Sequence, residues 1–199
     1  MIVSNENFDR VVEKLSRPGQ YGLDTETFGV DFDDRLFSIV IADADDCYYF
    51  NFLTTPDHNG RMPPEEFTLV GKIPLLVPIF DRVDSLFFLH NAKFDLQKLR
   101  LEGIEVKGRV HCTMATERLI YNHYLDYSLD ACARRRGLEE DKTVEEYIKK
   151  FNLYEVKNGE KKPRFDLVPF FIMSTYGQQD GRLAYQIGID QRRELDLTR

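Results

Sequence analysis

No stretch of this 199-residue chain is apolar over the roughly eighteen residues that a membrane-spanning helix needs, so no span is expected. Met1 to Leu15 alternates acidic, basic and apolar side chains and lacks the apolar stretch of a secretory signal. Cysteine is scarce. Cys47, Cys112 and Cys132 are odd in number and include no C-x-x-C pair, which argues against a disulfide framework or a zinc site and suits a reducing, cytoplasmic compartment. No internal repeat or low-complexity segment stands out. Cations are also in deficit, with 27 Lys and Arg against 34 Asp and Glu and a net charge of −7. An acidic surface repels a phosphate backbone, and most nucleic-acid binders show a basic face. The deficit is tolerable for such a ligand only if divalent cations reverse the local field, or if this chain is one module of a larger protein that grips the duplex elsewhere. Arg134-Arg135-Arg136 and the stretch Lys149 to Arg164 are local basic clusters, each readable by itself as solvated surface.

What is present suits one domain over residues 1–199, with 42% hydrophobic residues to fill a single core. Phe8, Val11, Val12 and Leu15 follow the helical i, i+3, i+4, i+7 spacing, and Pro18-Gly19 ends that helix. Tyr21–Thr27, Leu36–Ala42 and Cys47–Phe52 read as three strands joined by short turns, an antiparallel meander. Leu53–Phe67 is polar and rich in Pro and Gly, an exposed loop by composition, and Pro74–Val83 reads as a short helix. Ser85 to His90 is continuously apolar up to its last residue, the mark of a strand buried on both faces. A helix over Lys93–Leu101 and a strand over Glu105–Val110 would complete a strand–helix–strand unit. Helices follow over Thr113–Tyr121, Ser128–Arg136, Val144–Phe151 and Ile172–Leu195, with a polar turn or small hairpin at Asn158-Gly159. The order implies an α/β or α+β fold, a central mixed sheet covered by helices.

Three local settings could carry chemistry. Asp24 and Glu26, at i and i+2 on the first strand, leave the same face of the sheet. Two carboxylates so close repel unless a divalent cation shares them or solvent surrounds them, and the flanking Tyr21, Gly22 and Leu23 look interior. Asn91 follows the buried strand where a helix N-cap belongs, and the carboxyl end of a strand is also where α/β folds bind ligands. Asp95 returns to the same side of the new helix, where it could instead complement the helix dipole. Tyr176 and Asp180 are i and i+4 on the last helix and share a face, with Gly177 and Gly181 beside them permitting close approach to the sheet. A tyrosine there also suits plain core packing.

As a set, D-x-E at Asp24-Glu26, N-x-x-x-D at Asn91–Asp95 and Y-x-x-x-D at Tyr176–Asp180 resemble the three motifs of the DEDD superfamily of 3′-5′ exonucleases. The tyrosine, with Thr175 where other members place a histidine, points to the subgroup found in family A DNA polymerases, phage ones included, and in ribonuclease D-like enzymes. Tyr127 to Ala133 is similar to that family's S-L-x-x-L-A helix, so the likeness spans about Tyr21 to Tyr185. It implies a ribonuclease H-like, five-stranded mixed sheet whose first three strands are antiparallel, flanked by helices. It implies a metal-dependent 3′-5′ exonuclease of the proofreading type that releases nucleoside 5′-monophosphates from DNA 3′ ends.

By the same resemblance, Asp24, Glu26 and Asp180 hold one of two divalent ions, Mg²⁺ or Mn²⁺, and Asp24 bridges to a second that Asp95 supports. Tyr176 and Glu26 orient the attacking water. Thr27, Asn91 and Phe94 touch the terminal nucleotides. The expected partners are a single-stranded DNA 3′ end and a polymerase domain or subunit, with no membrane and no small-molecule cofactor, in the cytosol of a bacterium or a phage-infected host. The alternatives are an RNA-trimming enzyme of the ribonuclease D kind, and an inactive exonuclease-like module that binds nucleic acid. The chain departs from relatives at His111-Cys112-Thr113, where many carry Asp-Thr, and at Val30, near where relatives place a wedging Leu. His58, His90, His111 and His123 show no metal-site spacing, and His90 reads as a satisfied core histidine that could also contact substrate.

Overall fold

The structure, a computed structural model, describes residues 1–157 and 159–196. A helix, α1 (Phe8–Leu15), precedes the meander β1 (Gln20–Thr27), β2 (Leu36–Ala42) and β3 (Cys47–Asn51). A short helix, α2 (Val77–Phe80), then leads to β4 (Leu86–Leu89), α3 (Ala92–Leu101) and β5 (Arg109–Cys112). These strands form one five-stranded sheet in the order β3-β2-β1-β4-β5. β1 pairs antiparallel with β2 and β2 with β3, whereas β1–β4 and β4–β5 are parallel. Every residue of β2 and β4 is buried, as expected of strands covered on both faces.

One face carries Leu23, Ile39, Ile41 and Leu89 against Phe8, Leu15 and Leu99 of α1 and α3. The other is crossed by the last helix, α7 (Phe170–Glu194), whose Phe170 packs with Val40 and Tyr49. The outer edge of β3 is not open. Met1 to Val3 pairs with Tyr49 through two backbone hydrogen bonds of 3.0 Å, which blunts a surface that would otherwise recruit another chain.

Between β5 and α7 lie α4 (Thr113–Ile120), α5 (Leu129–Arg134), α6 (Thr143–Phe151) and a hairpin of β6 (Tyr154–Lys157) and β7 (Glu160–Pro163). Asn158, in the turn expected there, lies outside the described residues. The hairpin clasps the turn that follows β1: Lys157 pairs with Asp31 at 2.7 Å and Asp34 at 3.4 Å, and Lys162 also pairs with Asp31. From beneath, the buried Lys98 donates to the backbone carbonyls of Asp31 and Asp34.

Two expectations are corrected. The strand placed over Glu105–Val110 begins only at Arg109, because the preceding amides go elsewhere: Ile104 donates to Leu99 at the end of α3, and Lys107 donates to Phe80. The Leu53–Phe67 segment is not simply exposed. Leu53 is buried, and the His58 ring sits 5.3 Å from Tyr147 and 4.7 Å from Phe151 of α6. Its polar residues serve the turn itself, with Asp57 accepting the amides of Asn59 and Arg61.

Candidate active site

β1 faces β4 only from Gln20 to Gly22, so Leu23 to Thr27 runs on past its parallel neighbour. On its other side pairing continues, with Asp24 opposite Val40 and Glu26 opposite Ser38. Asp24 and Glu26 project from the α7 face, at the point where α7 comes closest. A Cβ at Gly177 would lie 3.1 Å from the Tyr49 ring and 3.3 Å from Glu26 Oε1. At Gly22 it would lie 2.2 Å from the carbonyl oxygen of Gly181. Asp180 is thereby pressed against the strand. Asp24, Glu26 and Asp180 each offer a carboxylate oxygen, and the three oxygens lie within 4.8 Å of one another.

This gathering is costly without a cation. Glu26 and Asp180 are 8% and 7% exposed, and Glu26 Oε1 and Asp180 Oδ1 are buried with no hydrogen-bond partner. Burial, reinforced by the charges of Glu26, Asp95 and Asp180, raises the Asp24 carboxyl well above its ordinary value. Burial, then Asp95 and Glu145, pushes Glu26 up to about 8. Asp180 is likewise raised well above the usual range by burial and then by Glu26 and Glu140. Orphaned carboxylate oxygens converging from a strand and a helix are a hard-oxygen donor set, and they fit a divalent ion such as Mg²⁺ or Mn²⁺.

Asp95 stands beside this trio and not in it. It is 3% exposed, and its Oδ1 accepts the hydroxyl of Thr25 at 2.7 Å. Burial raises it to about 7, with the Thr25 bond working against that rise. Asn91 is not the capping residue its position suggests. Its side chain makes no cap hydrogen bond, it is exposed, and its backbone is left-handed at φ 61°, a conformation uncommon outside glycine. The Thr27 hydroxyl is committed to the Gly29 carbonyl at 2.7 Å. Phe94 is partly exposed and has Lys98 Nζ 4.9 Å from its ring centroid, so one ring face is taken. Tyr176 is buried, its phenol is raised by burial and by Asp180, and its hydroxyl donates to Glu145 at 3.2 Å. His90 is held between Thr113 at 2.9 Å and the Tyr127 carbonyl at 3.0 Å, and burial lowers it to about 4, so it is a satisfied neutral ring.

Residues 1–166 match the 3′-5′ exonuclease family of the DNA polymerase A type. The chain belongs to that family. It is 32% identical over 192 residues to the DNA polymerase DpoZ of Salmonella phage PMBT28, covering 93% of this chain and 28% of that protein. The exonuclease domain thus spans little more than a quarter of the relative's length. Among solved structures it resembles the polymerase domain of Mycobacterium smegmatis Pol1 in complex with DNA primer-template and dNTP, with a TM-score of 0.64, 14% identity, and coverage of 98% of this chain and 27% of that one. It also resembles Brucella melitensis NrnC with bound Mg²⁺, with a TM-score of 0.60, 14% identity, and coverage of 92% and 76%. At such identities these likenesses show the fold, which is ribonuclease H-like.

The family match ends at residue 166, ahead of Tyr176 and Asp180, so their place in the site comes from the path of α7 alone. Two further acids near the exonuclease domain's trio went unread in the sequence. Glu145, in the first turn of α6, holds the Tyr176 hydroxyl. Glu140, raised to about 7 by burial and by Glu145 and Asp130, adds its charge at Asp180. In sequence both look like solvated acids around a helix start, a place that favours negative charge anyway.

Proposed function

We propose that this domain removes nucleotides one at a time from the 3′ end of single-stranded DNA, in a proofreading role, and releases nucleoside 5′-monophosphates. The observation that carries the reading is the convergence of Asp24, Glu26 and Asp180 with two buried, unpartnered carboxylate oxygens. Asp24, Glu26 and Asp180 would hold one divalent ion, and Asp24 with Asp95 a second. When bound, such a pair neutralises charge on the attacking and leaving oxygens of an in-line displacement. The chain's own groups then place the reactants. Tyr176, its phenol kept neutral, and Glu26 orient the water. Asn91, freed from capping, presents its amide to the terminal nucleotide, and Phe94 offers a base the ring face that Lys98 leaves open. Thr27, its hydroxyl already spent on Gly29, contributes through its backbone and methyl group.

The likeness to a longer phage polymerase, of which this chain covers 28%, supports a polymerase domain or subunit as the source of the 3′ end, in a bacterial or phage-infected cytosol. Among the described residues no helix is long and apolar enough to cross a membrane. The test uses 5′-labelled single-stranded DNA and RNA with Mg²⁺, Mn²⁺ or chelator. Stepwise shortening of DNA from its 3′ end, abolished by chelator, is expected. Shortening of RNA alone would move the enzyme to the RNA-trimming class, and no shortening of either would leave a module that only binds.

A further inference from the structure

We infer that Glu145 is a positioning residue that fixes which way the Tyr176 hydroxyl points, and through it the orientation of the attacking water. The inference rests on the nuclease reading above and adds a residue to it.

A phenol carries one proton and can give it to one acceptor at a time. Two carboxylates compete for that of Tyr176. Asp180, one turn on along α7, is stabilised by this hydroxyl, but its oxygens belong to the trio that converges with Asp24 and Glu26. Glu145 approaches from a different element, α6, and receives the proton at 3.2 Å with hydrogen-bond geometry. With the proton turned outward to Glu145, the phenol oxygen shows lone pairs to the trio. A water lying there must donate to Tyr176, and its own lone pair stays free to attack phosphorus. With the proton turned inward, the phenol would donate to the water instead, occupying one of its two lone pairs and lowering its nucleophilicity. Glu145 thus sets the polarity of the bond, which Tyr176 alone leaves undecided.

The position of Glu145 is held by the packing of α6 and not by its own side chain. Its neighbours Val144 and Ile148 are buried in a core that also contains Tyr176 and Met173, and Tyr147 and Phe151 hold α6 against His58. Glu145 itself is exposed, so its substitution removes no core contact.

The experiment is a double-mutant cycle of Glu145→Ala and Tyr176→Phe, read as kcat and KM on single-stranded DNA, with Mn²⁺ binding measured by calorimetry on each protein. Glu145→Ala, which removes the acceptor, should lower kcat by about tenfold to a hundredfold, the size of one hydrogen bond to a charged group, with KM and Mn²⁺ affinity unchanged. In the Tyr176→Phe background it should cost nothing further, because no hydroxyl remains to orient. Equal losses in both backgrounds, a changed Mn²⁺ affinity, or a lower KM at unchanged kcat would each overturn the role; the last would mark Glu145 as a charge that merely repels the strand. An inactive wild-type protein would sink the nuclease reading and this inference with it, whereas additive losses in an active protein sink the inference alone.

Discussion

Gly22 on β1 and Gly181 on α7 meet backbone against backbone: a Cβ on Gly22 would stand 2.2 Å from the Gly181 carbonyl oxygen and 2.8 Å from the Tyr185 amide nitrogen. Neither contact can give way by turning a side chain. The pair therefore sets the distance between strand and helix, and with it the spacing of Asp24 from Asp180. Gly22→Ala should push α7 outward. The expected cost is about 1–3 kcal/mol in urea unfolding, as for other overpacked sites. The loss in kcat should be larger than stability explains, roughly a hundredfold, because carboxylates displaced by about an ångström no longer share an ion well. Folded Gly22→Ala protein with wild-type kcat would show that the spacing is set elsewhere.

Much of this arrangement was legible in the sequence because it depends on period. Asp24 and Glu26 alternate with buried Leu23 and Thr25, so they had to share a face, and Leu36–Ala42 could hardly be other than a buried strand. The i, i+4 spacing likewise put Tyr176 and Asp180 together, and both are buried toward the sheet. What was not legible depends on where chain segments cross. Nothing local shows that the Asn91 backbone turns left-handed and abandons its cap, or that Thr25 reaches across to Asp95. Glu145, on α6, and Glu140, just ahead of it, come near the site because α6 packs beside α7. The start of β5 was misread for a similar reason, since the amides of Ile104 and Lys107 are claimed by neighbours distant in sequence.

Metal-free protein should lose stability as pH rises. A carboxyl whose folded pKa is raised keeps its proton in the fold at a pH where the unfolded chain has already released it, so the fold binds more protons and loses ground with each step upward. The window opens near the ordinary carboxyl value of ~4. It extends toward about 7 and about 8, where Asp95 and Glu26 titrate in the fold. In chelator the melting temperature should therefore fall between pH 5 and pH 8 (on the order of that window). Mn²⁺ should restore it, with more effect at the upper end because the ion replaces protons. Asp24→Asn, which removes one of the repelling charges, should melt higher than wild type in chelator at pH 8 and respond less to Mn²⁺. A metal-free protein whose stability rises over this range would contradict the raised carboxyls.

Loss of a bridging carboxylate and loss of a water-orienting phenol should be separable. Asp24→Ala should leave cleavage undetectable while the protein still unfolds cooperatively, since the substitution removes repulsion along with the ligand. Tyr176→Phe keeps the ring among Val144, Ile148 and Met173 and removes only the hydroxyl. Its kcat should fall by about tenfold to a hundredfold, one hydrogen bond's worth. Equal losses in single-turnover rates would mean that Tyr176 does more than orient water.

Away from the carboxylates, Glu117 ties three helices together with no exposed surface of its own. Arg135 Nε donates to it at 2.8 Å, Arg136 forks onto both oxygens at 2.9 and 2.6 Å, and Gln191 of α7 adds a bond of 2.7 Å. Burial alone would raise this carboxyl, but Arg136, Arg135 and Gln191 hold it below its ordinary value. Glu117→Gln keeps the shape and removes the charge, leaving two guanidinium groups with a neutral amide whose nitrogen also needs an acceptor. Removing one partner of a buried pair costs about 3–5 kcal/mol. For a chain of this size each kcal/mol is worth about 2–4 °C, so a fall in melting temperature of about 6–20 °C is expected. Gln191 lies eleven residues beyond Asp180, about 16 Å along α7, so catalysis should be spared at temperatures where the variant is folded. A Glu117→Gln protein as stable as wild type, in low and high salt alike, would mean that the arginines find other partners and that the network is not what joins α4 and α5 to α7.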